Sequence, residues 1–291
     1  MNTYSAICKI CGKESEIDGS NTVKIRSNVR QFKKEQFTVW RCAQCNSLHS
    51  LEEIDYDYYY KNYVMQKQKI DFATRLLFIS RLRQLVRGGL LPHHSILDFG
   101  CGNGGFPYFL KKKGYVKTIG YDPFSSQFSD RSIYTQKFDI INSQDVIEHS
   151  SDPVTFLDEI TALVKRPWGK LMIGTPNADY IHLNDPLDEV GWLHQPYHRH
   201  ILGSKQLIQM LEKKGFRIDK VEQKSYMDTK IPFINSTFVF NYMTSTDGTV
   251  DSIFDPIKFG LIYTSPRLLF HGLFGYLLNH KKDIFITATA L

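Results

Sequence analysis

The chain has 291 residues, 42% of them hydrophobic and 13% aromatic, which is ample for a packed core and too apolar for wholesale disorder. Its formal charge of +6 is carried by dispersed basic residues, which suits an anionic small molecule and falls short of a nucleic-acid footprint. No run approaches the ~18 uncharged apolar residues of a membrane span, and Cys8 and Cys11 interrupt the apolar stretch a signal peptide needs, so a cytoplasmic protein is expected.

The first 52 residues are polar, cysteine-bearing and poor in helical periodicity. Cys8-x-x-Cys11 and Cys42-x-x-Cys45 form two knuckles within them. A tetrahedral zinc ion takes four thiolates, and each two-residue gap lets both sulfurs of a knuckle reach one metal. In a cytosolic chain such spacing points to metal before disulfides. Four thiolates leave no open position for water or substrate, so a structural Zn2+ is expected, and His49 is expected at the surface.

From 60 to 87 apolar positions recur at helical spacing, Ile70, Ala73, Leu77 and Leu85 among them, until Gly88 and Gly89 stop the helix. Strands and helices then alternate, the pattern of a parallel sheet with crossovers. Strands are expected over 95–99, 116–121, 138–142, 170–174 and 216–222, with helices over 106–113, 154–164 and 205–214. Asp152 and Pro153 make an N-cap and first-turn pair for the second of these helices, and Gly215 ends the third. An aromatic-rich insertion over 226–282 fits no regular unit apart from a helix start at Thr264-Ser265-Pro266 and an apolar run to Leu278. That run reads as a core or lid element, with peripheral membrane contact through 264–278 as the alternative. Residues 283–291 alternate as a closing strand. The implied organisation is a zinc ribbon over 1–52, a Rossmann-like α/β core over 53–225, an insertion or lid over 226–282, and the closing strand of the sheet over 283–291.

Asp98-Phe99-Gly100-Cys101-Gly102-Asn103-Gly104-Gly105 lies between the first strand of this core and its helix. Glycines at such a turn let a ligand approach the main chain. The same spacing satisfies the dinucleotide fingerprint G-x-G-x-x-G, which alone is a weak signal. Two acids tilt the choice. Asp98 would repel a pyrophosphate and welcome a methionine ammonium, and Asp122 ends the second strand where an acid accepts ribose hydroxyls. S-adenosylmethionine has both groups and no phosphate.

These residues match a known family. Residues 96–105 resemble the first motif of class I S-adenosylmethionine-dependent methyltransferases. Asp145-Val146-Ile147-Glu148-His149, followed by Asp152-Pro153, resembles the segment after the fourth strand in ubiquinone-biosynthesis O-methyltransferases, and Gly174-Thr175-Pro176-Asn177 the turn after their fifth. The resemblance implies a seven-stranded Rossmann-like sheet with helices on both faces. It implies cofactor contacts from Asp98, Gly100, Cys101, Gly102, Gly104, Asp122, Asp145 and Val146. The C-methyltransferases of nucleotide-linked deoxysugars also begin with paired C-x-x-C knuckles and carry Tyr-His-x-His after the fifth strand, as Tyr197-His198-Arg199-His200 stands here. That likeness names His198 as a candidate base, with Tyr197 beside it. No second α/β unit like that family's is expected from these residues, so zinc-ribbon methyltransferases of glycan clusters are the better general match.

The expected function is methyl transfer to a small-molecule or glycan-linked acceptor, with positioning supplying about 7–11 kcal/mol of the barrier. His198 is the first candidate base and His149 the second; one of His198 and His200 faces the cleft while the other makes a structural hydrogen bond. A zinc-ribbon RNA methyltransferase is the main rival. It would need a basic face from Lys24, Arg26, Arg30, Lys33 and Lys34 with Phe32 and Phe37 as stacking platforms. A non-catalytic cofactor-binding module is the third reading. Nothing in the sequence fixes the oligomeric state.

Overall fold

Three sheets organise the computed structural model, which describes residues 4–61, 63–278 and 280–291. At the N-terminus β1 (Tyr4–Ile7) and β2 (Glu14–Ile17) form an antiparallel pair that carries the first knuckle in its turn. β3 (Thr22–Arg26), β4 (Gln36–Arg41) and β5 (Leu48–Ser50) follow as a meander, with the second knuckle between β4 and β5.

Residues 60–87 do not form one helix. A short helix, α1 (Tyr56–Tyr60), is capped by Asp55, and a 3-10 turn covers Val64–Lys67 before α2 (Phe72–Arg87) begins behind the Asp71 cap. Two Asp side chains bonding first-turn N–H groups compete with a continuous helix, and the apolar periodicity across them hides the breaks.

The α/β core then runs β6 (Ile96–Phe99), α3 (Gly105–Lys112), β7 (Thr118–Tyr121), β8 (Ile140–Gln144), α4 (Pro153–Ala162) and β9 (Lys170–Pro176). It continues through α5 (Val190–Leu193), β10 (His200–Ile201), α6 (Ser204–Lys213) and β11 (Phe216–Glu222). Asp152 caps α4 with Pro153 in the first turn, as expected. The 226–282 insertion is more regular than expected: it holds α7 (Ser236–Ser245), α8 (Phe259–Thr264) and α9 (Pro266–Phe274), the last capped by Ser265. β12 (Asp283–Ala290) returns to the core.

The main sheet has the order β11-β12-β9-β8-β6-β7, parallel across β9-β8-β6-β7 and antiparallel at β12 and β11. Six strands are found among the described residues, not seven. The polar stretch Ser125-Ser126-Gln127 and the Asp130 cap take the backbone after β7 into turns, including a 3-10 turn at Arg131–Thr135, so no strand extends that edge. β6 is wholly buried and β9 nearly so, as in a sheet covered on both faces. Phe138, Leu157, Ile160 and Leu211 pack one face, and Leu85, Phe106, Leu110 and Met172 the other.

β10 leaves the core and joins β5 of the N-terminal sheet, His200 opposite His49 and Ile201 opposite Leu48. The carboxyl ends of β6, β7, β8 and β9 all open toward the side where this crossing occurs, the edge at which open α/β sheets bind ligands. No helix among the described residues is long and apolar enough to cross a membrane.

Candidate active site

The four expected metal ligands come together. Cys8 Sγ lies 3.5 Å from Cys45 Sγ and Cys11 Sγ 3.8 Å from Cys42 Sγ, with all four sulfurs within 4.8 Å of one another. Four thiolates about 2.3 Å from one tetrahedral zinc stand about 3.8 Å apart, so the set fits one zinc ion. His49 is not on the surface. It is buried, its Nε2 is 3.1 Å from Cys8 Sγ, its Nδ1 is 2.9 Å from His200 Nδ1, and its ring packs on Trp40. All three residues of β5 are buried, so no alternation along the strand marks His49.

A cavity of about 700 Å³ lies over the carboxyl edge of the sheet. That is within the usual range of about 300–1,000 Å³ for a small-molecule site. Gly100, Cys101, Gly102, Asp122, Asp145, Val146, His149 and His198 all line it. Asp122 Oδ2 accepts from the Gly102 N–H (2.9 Å) and Oδ1 from the Phe124 N–H (2.9 Å), leaving a free lone-pair direction on each oxygen. Burial outweighs these donors and raises its pKa. Gly102 has φ +57° and a Cβ there would meet nothing, so the loop's open side is room for a ligand.

Two of the expected cofactor contacts are relocated. Asp98 does not line the cavity: it is fully buried beneath the loop, where Oδ1 accepts from Arg81 Nη2 (3.0 Å) and Asn142 Nδ2 (2.5 Å). Arg81, which the sequence reading missed because it reads as one more polar position on α2, lines the wall in its place. Gly104 also lies off the lining, at φ +77°, where a Cβ would run into the Phe128 ring at 2.1 Å. Its role is close packing.

The histidines take different places. His198 lines the cavity and its Nδ1 is 2.5 Å from the Trp192 carbonyl oxygen, so Nδ1 carries the proton and Nε2 a lone pair. Burial pulls its pKa down to about 4, so the imidazole is neutral near pH 7 and its 3.9 Å approach to Glu148 Oε1 is not an ion pair. His149 Nδ1 meets the Tyr60 hydroxyl at 2.7 Å. Burial and the neighbouring histidines push its pKa well below the usual value. His200 is structural, held between His49 and the Ser151 carbonyl. Tyr197 is no candidate for chemistry: it is fully buried, off the cavity, and its hydroxyl donates to the Tyr59 carbonyl (2.9 Å).

Aromatic groups complete the wall. Tyr60 and Tyr63 come from the segment expected to be plain helix and Tyr56 from just before it, Trp192 and His194 from α5 and its end, and Tyr226, Phe240 and Met243 from the insertion. The Asn103 amide ties the glycine loop to the Gln66 and Gln68 carbonyls (3.3 and 2.7 Å). Two of the five cations of the basic face sought for RNA are engaged elsewhere, while Lys24, Arg26 and Lys34 are exposed. Arg30 pairs with Asp247 and Asp255, the Lys33 ammonium donates to the Asp247 carbonyl, and Phe32 and Phe37 are buried.

Comparison with known proteins agrees with this geometry. A family model described as a methyltransferase domain matches residues 65–221. The ubiquinone biosynthesis O-methyltransferase of Coxiella burnetii (strain RSA 493 / Nine Mile phase I) is 31% identical over 121 residues, 34% of this chain and 51% of that protein. That of Histophilus somni (strain 2336) is 25% identical over 172 residues, 50% of this chain and 64% of that protein. The chain thus spans about half the length of the first of these relatives, 51% of it. Among solved structures, the Haemonchus contortus Phospholethanolamine N-methyltransferase 2, in complex with phosphomonomethylethanolamine and S-adenosylhomocysteine, covers 94% of this chain and 70% of its own. It aligns with a TM-score of 0.50 at 14% identity, a likeness of fold.

Elemental analysis of the purified protein should find zinc, and the double variant Cys42→Ser/Cys45→Ser should lose one equivalent per chain with a lower melting temperature. An unchanged zinc content in that variant would remove the metal from the cysteine cluster.

Proposed function

The chain belongs to the methyltransferase-domain family, and from that premise we propose that it transfers a methyl group from S-adenosylmethionine to an oxygen of a small-molecule acceptor. The carrying observation is the charge of the cavity. Its lining holds Asp122, Asp145, Glu148, Glu159 and Asp283 against two arginines, Arg81 and Arg131, and the former is already paired with Asp98. Such a wall favours a cationic ligand and repels a dinucleotide's phosphates. The relatives named as O-methyltransferases favour oxygen as the nucleophile.

When bound, S-adenosylmethionine supplies a methyl group already activated by the sulfonium charge. In this reading Asp122 accepts the ribose hydroxyls with the lone pairs its backbone donors leave free. Gly100 and Gly102 give the main-chain floor, and Cys101 and Val146 the apolar contact. Asp145, held by Gln144 Nε2 (2.7 Å), faces the ammonium that Asp98 was expected to meet. Tyr56, Tyr60, Phe240 and Met243 exclude water from the remaining space. The acceptor's proton is handled by the cluster around His198, whose Nε2 lone pair is directed away from the Trp192 carbonyl. The N-terminal cluster is read as holding one structural zinc.

The acceptor's carrier is read from the insertion. Phe270, Leu273, Phe274 and Leu277 are exposed at helical spacing along α9 and its extension, beside exposed Phe259 and Tyr263 of α8. Residues 256–282 contain no carboxylate, and Lys258 and Arg267 are exposed among them. An apolar face flanked by cations suits an anionic bilayer, which points to a lipid-carried acceptor delivered to the cavity wall formed by α7.

Labelled S-adenosylmethionine with hydroxylated acceptors, including quinols and sugar-linked lipids, tests the transfer. Asp122→Ala should weaken cofactor binding by about 1–3 kcal/mol, measured by calorimetry. His198→Ala should lower kcat by about 10²-fold or more with cofactor affinity retained. Normal cofactor affinity in the first variant moves the ribose acid elsewhere, and full turnover in the second removes His198 from the reaction. The protein should co-sediment with phosphatidylglycerol vesicles, and Phe270→Ser/Phe274→Ser should release it. Sedimentation equal with and without vesicles would leave a soluble acceptor.

A further inference from the structure

One wall of the cavity carries a donor set that proton transfer alone does not use. Glu148, His149 and His198 each offer one donor atom, and the three atoms lie within 4.8 Å of one another. Glu148 is fully buried. Its Oε2 accepts from Thr175 Oγ1 at 2.8 Å, while Oε1 has no hydrogen-bond partner and stands 3.9 Å from His198 Nε2, beyond hydrogen-bond reach. A buried carboxylate oxygen without a donor is costly, and natural structures leave few of them unexplained.

Both imidazoles are braced from behind. The Trp192 carbonyl fixes His198 through Nδ1, and the Tyr60 hydroxyl engages His149 through Nδ1, so Nε2 of each ring is the nitrogen left for a ligand. Hydrogen bonds of this kind orient metal-ligating histidines. Two ligands about 2.1 Å from a common ion stand about 3.0 Å apart at right angles and about 4.2 Å apart across it, which brackets the 3.9 Å observed between Glu148 and His198. The backbone adds a further constraint: the Arg199 N–H donates to the Glu148 carbonyl at 2.6 Å, locking the two ligand-bearing segments side by side.

We propose that Glu148, His149 and His198 bind one divalent transition-metal cation, in the class of Mn2+, Fe2+ or Zn2+, through two imidazoles and one carboxylate, with its open positions facing the cavity. Such a triad has room for oxygen ligands. The inference rests on the methyl-transfer reading for its role: the cation takes the acceptor's hydroxyl oxygen and lowers its pKa. The hydroxyl proton then passes to water, the new oxygen–carbon bond forms and the sulfur–carbon bond of the cofactor breaks, leaving S-adenosylhomocysteine and a methyl ether. His198 then serves the reaction by holding the cation.

The test uses the zinc-loaded full chain, treated with a mild chelator and titrated with Mn2+, a hard ion that a four-thiolate cluster does not select. Loss of the free-ion electron paramagnetic resonance signal reports binding. One Mn2+ per chain is expected, and Glu148→Gln and His198→Ala should each raise its Kd at least tenfold while calorimetry still finds cofactor binding. The second variant keeps the test sound should the first misfold. A free-ion signal undiminished to millimolar Mn2+, or an unchanged Kd in His198→Ala, overturns the site. Methyl transfer that proceeds at full rate in excess chelator overturns its role while leaving the transfer itself standing. Mn2+ binding without any cofactor binding overturns the transfer and leaves the metal site.

Discussion

Buried negative charge is the constraint around which this protein is arranged. Asp98 and Glu148 are fully buried, and Asp122, Asp145 and Asp283 face the cavity. An ionised carboxylate in such surroundings is costly unless paired. Arg81 and Asn142 answer for Asp98, and backbone N–H groups for Asp122. Burial still raises all five pKa values, and repulsion from Asp145 adds to it for Asp283, pushed up to about 7, and for Glu148, pushed well above the ordinary range. A site with this deficit of cations is made whole by positively charged ligands. A sulfonium carrying an ammonium is one such ligand, and a divalent ion beside it is another.

The N-terminal module enters this scheme as a brace, not an appendage, and places Asn28 on the cavity lining. Its β5 pairs with β10, and Ser27 and Ser50 hydrogen-bond Gln195. Asn28 holds His194. A line of contacts runs from Cys8 through His49 and His200 to the Ser151 carbonyl. Ser151 follows the turn that presents Glu148 and His149. The segment bearing His198 is thereby gripped from both sides, by the cysteine cluster's sheet and by the turn after β8. Orientation of a reacting group within tenths of an ångström needs that kind of support.

Much of the fold was legible because its physics is local. Buried parallel strands read as apolar runs, Asp152-Pro153 and Gly215 announce helix ends, and the knuckles announce each other by spacing. The glycine loop and Asp122 were legible for the same reason. What escaped depends on distant partners. Arg81 looks like an ordinary polar residue of α2 until Asp98 is found beneath it. His49 looks like a surplus ligand until β10 arrives beside it. Asp98 and Gly104 sit in the correct motif, yet packing turns them away from the cavity. The tyrosine cluster was hidden because Tyr60 and Tyr63 keep the helical rhythm across a break. Glu148 sat in plain view, but its unpartnered oxygen gains meaning only beside a histidine fifty positions later.

His49 and His200 are 151 residues apart. Closing so long a loop loses chain entropy before any contact is returned, and two residues of strand pairing cannot offset it. The α/β core carries both flanks of β10 to the right edge, and Ser27, Ser50 and Asn28 add hydrogen bonds across the join. A ligand touching both halves acts as a latch on that seam, holding it shut by mass action.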